Sequence, residues 1–306
     1  MAILILMPGR DTSELIGQLR TFEPDVDVRV WPEVGDETDI EFAIVWKHPH
    51  GLLQQFPNLK AISSYGAGVD FILGDPGLPE KIPIARVVDR TLIQDVALYV
   101  VSVVLNHKRR LAEYHSNQSQ KKWMPFPEHP MNTVGILGLG HIGKKIAENF
   151  ACLGFDVLGW DRKRRQIQNI RWFGENQMDE LLSRTDYLIC CLPLTSKTKD
   201  ILNEKTFSKL KQGAYIINVA RGDHLVEEDL IKAIEAGQVS GACLDVFRTE
   251  PLPENHPFWN HPTITVTPHI AGITNPQSAA TQLYENYRRV KAGKRPVHTI
   301  DKKQGY

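Results

Sequence analysis

Short apolar runs alternate with longer amphipathic segments through the first hundred residues. The runs cover residues 3–6, 26–30, 42–46, 59–63 and 84–88. Continuous apolar runs separated by helix-length segments are typical of parallel strands whose sheet is covered by helices on both faces. The pattern therefore predicts an α/β domain built on a parallel sheet.

A second series of apolar runs begins at residue 133. It comprises residues 133–137, 157–160, 187–192, 215–219, 242–246 and 264–267. Six strands make a complete dinucleotide-binding sheet, so this part of the chain predicts a Rossmann domain. Apolar residues also recur at helical spacing in residues 95–114 and 275–289. This spacing predicts one helix between the two series and a final helix that returns to the first domain.

Length and charge narrow the class of function. A chain of 306 residues suits two domains, each with its own apolar core. The 36 basic and 36 acidic residues balance, so no net field attracts nucleic acid or an anionic membrane, and a small-molecule partner is expected. No apolar run reaches the length of a membrane span. The four cysteines, Cys152, Cys190, Cys191 and Cys243, lack metal-ligand spacing, which predicts buried thiols, no metal site and a cytoplasmic location.

A glycine motif follows the first strand of the second series. Gly138, Gly140 and Gly143 come after residues 134–137 and open an apolar helix. Bare backbone at Gly140 lets a pyrophosphate approach, and the helix N-terminus offers N–H groups and partial positive charge. The next strand delivers Asp161 18 residues after Gly143, close to the spacing of a ribose-binding acid. Together these features predict a dinucleotide site.

Three further segments stand at the ends of successive predicted strands, where open α/β sheets bind their ligands. They are residues 218–222, 249–253 and 267–271. Hydride transfer to a keto acid needs a cation for the carboxylate and a proton donor for the alkoxide that forms. Arg221, His269 and a carboxylate that orients the histidine would meet this need.

These segments resemble the D-isomer-specific 2-hydroxyacid dehydrogenases, and more narrowly the bacterial glyoxylate/hydroxypyruvate reductase A group. The resemblance covers nearly the whole chain and includes residues 43–46, 65–70, the glycine motif, 244–247 and 300–306. It implies a Rossmann dinucleotide-binding domain of residues 98–275, inserted in a flavodoxin-like substrate domain of residues 1–97 and 276–306. Both would be doubly wound parallel-sheet domains, and the protein is expected to form a homodimer.

The resemblance also implies roles for individual residues. His269 would protonate the carbonyl oxygen of a small 2-keto acid, and Glu250 would bond to its other ring nitrogen and stabilise the protonated ring. Arg221 would grip the substrate carboxylate and carbonyl with its forked guanidinium. Substrate-binding roles are further expected for Trp46 and for the backbone of Ala67, Gly68 and Val69.

A larger set of residues is expected, by the same resemblance, to contact the dinucleotide: Gly138, Gly140, His141, Ile142, Gly143, Asp161, Arg162, Leu192, Pro193, Val219, Ala220, Asp245 and His269. Asp245 would accept a hydrogen bond from the nicotinamide carboxamide. Either NAD or NADP fits: Asp161 suits the ribose hydroxyls of NAD and repels a 2′-phosphate, whereas Arg162 and the three cations after it can neutralise one. The balance slightly favours NAD(H).

Two alternatives stay open. Another 2-hydroxyacid dehydrogenase, of the phosphoglycerate or D-lactate type, would carry the same three residues. A dehydrogenase-like corepressor that senses NAD belongs to a different class, and the presence of Arg221, Glu250 and His269 does not exclude it. The chain also departs from the reductase group at Asp161 and at residues 88–92. The remaining histidines considered are expected at the surface: His48, His50, His107, His115, His129 and His298.

Overall fold

A computed structural model describes residues 1–306 and divides the chain into two compact units. The first unit is Met1–Leu92 with Ile273–Tyr306, and the second is Ile93–Gly272. The dividing points lie a few residues before the boundaries expected at 97/98 and 275/276. Each unit is an α/β layer structure around a parallel sheet, which confirms the predicted fold class. None of the helices combines the length and apolarity that a membrane span requires.

The first unit contains a five-stranded parallel sheet. Its strands are β1 Ala2–Leu6, β2 Val28–Val30, β3 Ile40–Val45, β4 Ala61–Ser64 and β5 Ile84–Ala85. The order β2-β1-β3-β4-β5 is the flavodoxin-like order. Successive side chains of β1 enter opposite faces: Ile3 and Ile5 join one apolar cluster, and Leu4 and Leu6 join the other. Burial on both faces explains why β1 appears as a continuous apolar run.

The second unit contains a seven-stranded parallel sheet. Its strands are β6 Thr133–Leu137, β7 Asp156–Trp160, β8 Ile170–Phe173, β9 Tyr187–Cys190, β10 Ala214–Asn218, β11 Val239–Leu244 and β12 Ile264–Val266. The order β8-β7-β6-β9-β10-β11-β12 is the Rossmann order with one more strand at the edge. The sequence-based count of six was wrong because it missed β8. In this edge strand only Phe173 is buried and Arg171 is exposed, so no apolar run marks it.

Nine helices accompany the sheets: α1 Ser13–Phe22, α2 Asp70–Leu73, α3 Arg90–Lys108, α4 Leu111–Ser119, α5 His141–Cys152, α6 Met178–Leu182, α7 Glu204–Phe207, α8 Glu227–Glu235 and α9 Pro276–Lys291. The helix α9 matches the predicted final helix and packs against α1 in the first unit. The prediction of a single helix at residues 95–114 was wrong, because α3 and α4 divide this segment. The helix α3 begins earlier than predicted, where the Asp89 carboxylate accepts from Thr91 N–H at 3.0 Å. It ends before Arg110, whose φ of 58° is left-handed.

Three histidines expected at the surface, His48, His107 and His129, are instead buried or partly buried. His48 is 4% exposed, and its Nε2 lies 3.1 Å from Asp75 Oδ2. The His107 ring stacks on His129, and burial lowers the pKa of His107 to about 4. Each has a partner far along the chain, which the local sequence does not reveal. The prediction of buried thiols holds for Cys190 and Cys243 but not for Cys152, which is exposed.

Candidate active site

The three residues expected to act on a substrate follow three neighbouring strands of the second unit. Arg221 comes after β10, Glu250 after β11 and His269 after β12. These strands are adjacent and parallel, so their carboxyl ends meet at one edge of the sheet. This is the edge at which open α/β sheets bind ligands.

The His269 ring is held by Glu250. Its Nδ1 lies 3.1 Å from Oε1 and 3.0 Å from Oε2 of that carboxylate. Oε1 also accepts a hydrogen bond from Phe247 N–H at 3.2 Å, which ties the carboxylate to its own loop. The two side chains are 32% and 21% exposed, so the pair is open to solvent or ligand on one side. Bonding of Nδ1 to a carboxylate fixes the tautomer and orientation of the ring.

The turn that carries His269 is built on Asp245. His269 has a φ of 55°, in the left-handed region that non-glycine residues seldom adopt. Asp245 is fully buried and accepts hydrogen bonds from Ile270 N–H and Ala271 N–H, both at 2.8 Å. These bonds fix the backbone just after the histidine. The expectation for Asp245 concerned only the cofactor, so this supporting role was missed.

The Arg221 loop is held by the buried side chain of Asn218. Its Oδ1 accepts from Ala220 N–H at 3.1 Å, and its Nδ2 donates to the Arg221 carbonyl at 2.9 Å. Next along the chain, a Cβ added at Gly222 would lie 1.9 Å from the carbonyl carbon of Phe247. Only glycine allows the loops after β10 and β11 to approach this closely.

His224 is a second supporting residue that sequence reasoning missed. It is fully buried, with Nδ1 3.1 Å from the Arg221 carbonyl oxygen and Nε2 3.4 Å from the Pro193 carbonyl oxygen. It therefore connects the loop after β10 with the loop after β9. The only sequence signal is its position three residues after Arg221.

The glycine motif has the geometry of an anion site. Gly138 has a φ of 95°, and a Cβ at Gly143 would lie 1.9 Å from the Gly138 carbonyl oxygen. A Cβ at Gly140 would meet no atom within 4 Å, so the space in front of it is open. The helix α5 begins at the exposed His141, and its N-cap residue is Gly140, which has no side chain to fill the space in front of the helix. Open space at the N-terminus of a helix fits the pyrophosphate of a dinucleotide.

Other expected cofactor residues lie around this motif. A Cβ at Gly138 would be 3.3 Å from the Leu192 side chain, which places the loop after β9 beside the glycines. Asp161 Oδ2 accepts from Leu139 N–H at 3.2 Å, and Oδ1 accepts from Lys163 N–H at 2.9 Å. The Arg165 guanidinium lies 3.7 Å from the same carboxylate. Asp161 thus stands against the glycine motif at the end of β7, with part of its charge already compensated.

Two expected substrate-binding elements belong to the first unit. Trp46 follows β3, and its ring packs against Gly66, where a Cβ would lie 2.5 Å away. It also meets Phe71 edge-on at 5.3 Å between ring centroids. In the neighbouring turn, Ala67 and Gly68 are partly exposed and Val69 is buried. Their contact with a substrate stays a prediction.

Comparison with known proteins identifies the family. Residues 101–271 match the family model of the D-isomer specific 2-hydroxyacid dehydrogenase, NAD binding domain. A glyoxylate/hydroxypyruvate reductase A of Serratia proteamaculans is 42% identical over 100% of both chains. A D-isomer specific 2-hydroxyacid dehydrogenase of Xanthobacter autotrophicus, solved with NADPH and MES, has a TM-score of 0.94 and 34% identity over 100% of this chain and 99% of that one. An NADPH-dependent glyoxylate/hydroxypyruvate reductase of Sinorhizobium meliloti, solved with NADP and sulfate, has a TM-score of 0.93 and 33% identity over the same shares.

The Rossmann unit and these relatives together define a nicotinamide-dependent oxidoreductase. The chain belongs to the D-isomer-specific 2-hydroxyacid dehydrogenases. It is an NAD(P)-dependent enzyme of that family, as the sequence predicted.

Proposed function

We propose that this enzyme reduces a small 2-keto acid of the glyoxylate or hydroxypyruvate type to the 2-hydroxy acid. The observation that carries the proposal is the bonding of His269 Nδ1 to both oxygens of Glu250 at 3.1 and 3.0 Å, at the carboxyl edge of a dinucleotide-binding sheet. Full-length relatives about 42% identical are named for this reaction. A partly exposed histidine with an anion behind it is suited to deliver a proton to an oxygen that becomes negative.

The residues of the second unit fit a nicotinamide dinucleotide. The open face of Gly140 and the N-terminal N–H groups of α5 would receive its pyrophosphate, and Asp161 would lie near the adenosine ribose. When bound in reduced form, the cofactor supplies the hydride. Asp245 and the loops of Pro193 and Val219 would border its nicotinamide end.

His269 would act as the general acid of the reduction. Because Nδ1 is engaged by Glu250, Nε2 is the ring nitrogen that would donate a proton to the substrate carbonyl oxygen. The carboxylate of Glu250 stabilises the protonated ring before transfer and orients it throughout. General acid catalysis of this kind typically contributes about a hundred- to ten-thousand-fold.

Arg221 would bind the substrate carboxylate. Its backbone is fixed by Asn218 and its guanidinium donates to the Ala220 carbonyl at 2.7 Å, which restricts the side chain. A planar guanidinium offers two parallel N–H donors to a carboxylate, which an ammonium cannot do. The substrate would then be oriented with its carbonyl toward His269.

The test is a panel of keto acids assayed with NADH and with NADPH, read as loss of nicotinamide absorbance. Glyoxylate and hydroxypyruvate should give the highest kcat/KM. Higher kcat/KM with pyruvate or phosphohydroxypyruvate would favour a D-lactate or phosphoglycerate type. Tight cofactor binding without turnover of any keto acid would favour a corepressor.

We also propose that the enzyme works as a homodimer in the cytoplasm. Trp123 is fully exposed and Met124 is half exposed in the loop after α4. Exposure of these apolar side chains to water is unfavourable in a monomer, and a second copy packed against them would bury them. All four cysteines are free, as a reducing compartment requires. Light scattering on the eluted protein tests the oligomer, and Trp123→Asp should shift it toward monomer. A monomeric wild type would refute the dimer.

A further inference from the structure

A continuous chain of side-chain hydrogen bonds runs beneath the His269 turn. Tyr99, on α3, places its hydroxyl 3.3 Å from Cys243 Sγ and 2.6 Å from Thr267 Oγ1. Thr267 Oγ1 in turn donates to Asp245 Oδ1 at 2.6 Å. The chain therefore ends on the buried carboxylate that also binds the two backbone amides after His269.

The direction of each bond follows from counting protons. A threonine hydroxyl has one proton, and here it goes to the Asp245 carboxylate, so Tyr99 must donate to Thr267. The single proton of Tyr99 is then used, so the Cys243 thiol donates to the phenol oxygen. Burial raises the pKa of Tyr99 and raises that of Cys243 to about 11, which keeps both groups protonated as this order requires.

The series of hydrogen bonds from Tyr99 to Asp245 holds the backbone on both sides of His269. On the N-terminal side, Thr267 is part of this series, and its carbonyl accepts from His269 N–H at 3.0 Å. On the C-terminal side, Ile270 and Ala271 donate to Asp245. Between these fixed points His269 has its left-handed φ of 55°, a conformation that needs support from its surroundings.

We propose that Tyr99 is a positioning residue for the 2-keto acid reduction, which holds the His269 turn in place through Thr267 and Asp245. The inference rests on the proposed role of His269 as general acid. Tyr99 does not touch a reacting atom. Its hydroxyl satisfies Thr267, so that the threonine proton and the two amides converge on one carboxylate. A displacement of about 1 Å at a catalytic group can lower a rate about a hundredfold, so loosening this turn should reduce kcat.

The test compares Tyr99→Phe with Tyr187→Phe. Tyr187 is a matched control because its buried hydroxyl also makes a side-chain bond, to His107 Nδ1 at 3.1 Å, without a link to the His269 turn. Tyr99→Phe should lower kcat about tenfold with the cofactor Kd within twofold, and it should speed hydrogen exchange of the Ile270 and Ala271 amides. Tyr187→Phe should change neither kcat nor that exchange. Equal kcat and exchange in the two variants would overturn the inference.

Thr267 provides a second test if Tyr99→Phe folds poorly. Thr267→Ser keeps the hydroxyl and should retain activity, whereas Thr267→Val should resemble Tyr99→Phe. The double variant with Tyr99→Phe and Thr267→Val should lose little more than either single change, because residues that act as a unit are not additive. Full additivity would show that Tyr99 acts independently and would overturn the inference.

The exchange measurement separates this inference from the proposed function. A wild type inactive on every keto acid would refute the reductase proposal. In that case, faster exchange of the two amides in Tyr99→Phe would still support the holding of the turn, and unchanged exchange would overturn it.

Discussion

Glu250 presents both carboxylate oxygens to the same nitrogen of His269, at 3.1 and 3.0 Å from Nδ1. A bond shared between two acceptor atoms resists rotation of the ring about its side-chain torsions more than a single contact would. The ring nitrogen on the opposite side is therefore directed by the protein before any substrate arrives. Preorganisation of this kind lowers the cost of orienting the acid at the moment of reaction.

Replacement of this histidine should separate catalysis from cofactor binding. His269→Asn removes the imidazole yet suits the left-handed φ of 55° that the turn requires. We expect kcat to fall about a hundred- to ten-thousand-fold, with the cofactor Kd nearly unchanged in a fluorescence titration. His298→Asn is the control, because His298 has a φ of 53° and is exposed. Rates like those of the wild type in His269→Asn would contradict the general-acid role.

Neutralising the partner of His269 should lower the rate of reduction. Glu250→Gln replaces a carboxylate that offers Nδ1 two acceptor oxygens with an amide that offers one, so the ring is held less firmly. We expect kcat to fall about tenfold or more, because a hydrogen bond to a charged group contributes about 1.5–3 kcal/mol and 1.36 kcal/mol is a factor of ten. Glu227→Gln is a matched control, since Glu227 Oε2 lies 3.2 Å from His256 Nε2 in a pair between other residues. An unchanged kcat in Glu250→Gln would argue against the pair.

Keeping the charge at position 221 should not keep the activity. Arg221→Lys retains a cation but loses the two-point contact with a carboxylate, a change of about 1.5–3 kcal/mol for a hydrogen bond to a charged group. We expect kcat/KM for glyoxylate to fall about tenfold or more, since 1.36 kcal/mol is a factor of ten. Arg184→Lys, in an exposed pair with Glu180, should leave it unchanged. A fall of less than threefold at Arg221 would remove it as a substrate ligand.

The central strands were the easiest to find from the sequence, because both of their faces are buried. The strand β9 appears as an unbroken apolar run because its successive side chains enter two different apolar clusters. Edge strand β8 carries Arg171 and shows no such run. Sequence pattern reports burial, so it is a weaker signal where a strand is partly exposed, as β2 and β12 also are.

Some residues of the candidate site could be recognised from the sequence, and others could not. The glycine motif and Arg221 stand in recognisable local patterns, and so do Glu250 and His269. The supporting residues do not: Tyr99 and Thr267 are 168 positions apart, and their bond exists only once α3 packs on the sheet. His224 looks like any polar residue in a loop until its two carbonyl contacts are seen. Contacts between distant residues have no signature in a single sequence.

The open space at Gly140 can be tested with one methyl group. A Cβ there meets no protein atom within 4 Å and φ is −65°, so Gly140→Ala should fold with an unchanged Tm. The methyl would occupy the space assigned to the pyrophosphate and should weaken cofactor binding about tenfold or more, equal to 1.4 kcal/mol. Gly17→Ala in α1 is the control, because it also meets no atom and should stabilise by about 0.5–1 kcal/mol. Unchanged cofactor affinity in Gly140→Ala would place the dinucleotide elsewhere.

Cofactor choice depends on Asp161 and the cations that follow it. The Asp161 carboxylate is held beside the glycine motif by Leu139 N–H, so its charge cannot swing away from a ribose bound there. Two unit charges 4 Å apart interact by about 1 kcal/mol in water and about 4 kcal/mol at a surface-like dielectric, enough to disfavour a 2′-phosphate. Against this, Arg165 lies 3.7 Å from the same carboxylate and offsets part of the repulsion. The relatives solved with NADPH or NADP show that the family accommodates the phosphate.

We expect the unmodified enzyme to prefer NADH. Asp161→Ser should move the ratio of kcat/KM values toward NADPH by about tenfold or more, since 1.36 kcal/mol is a factor of ten. Asp156→Ser, at the opposite end of β7, should leave the ratio unchanged. Equal or better use of NADPH by the wild type would mean that the cations dominate over Asp161.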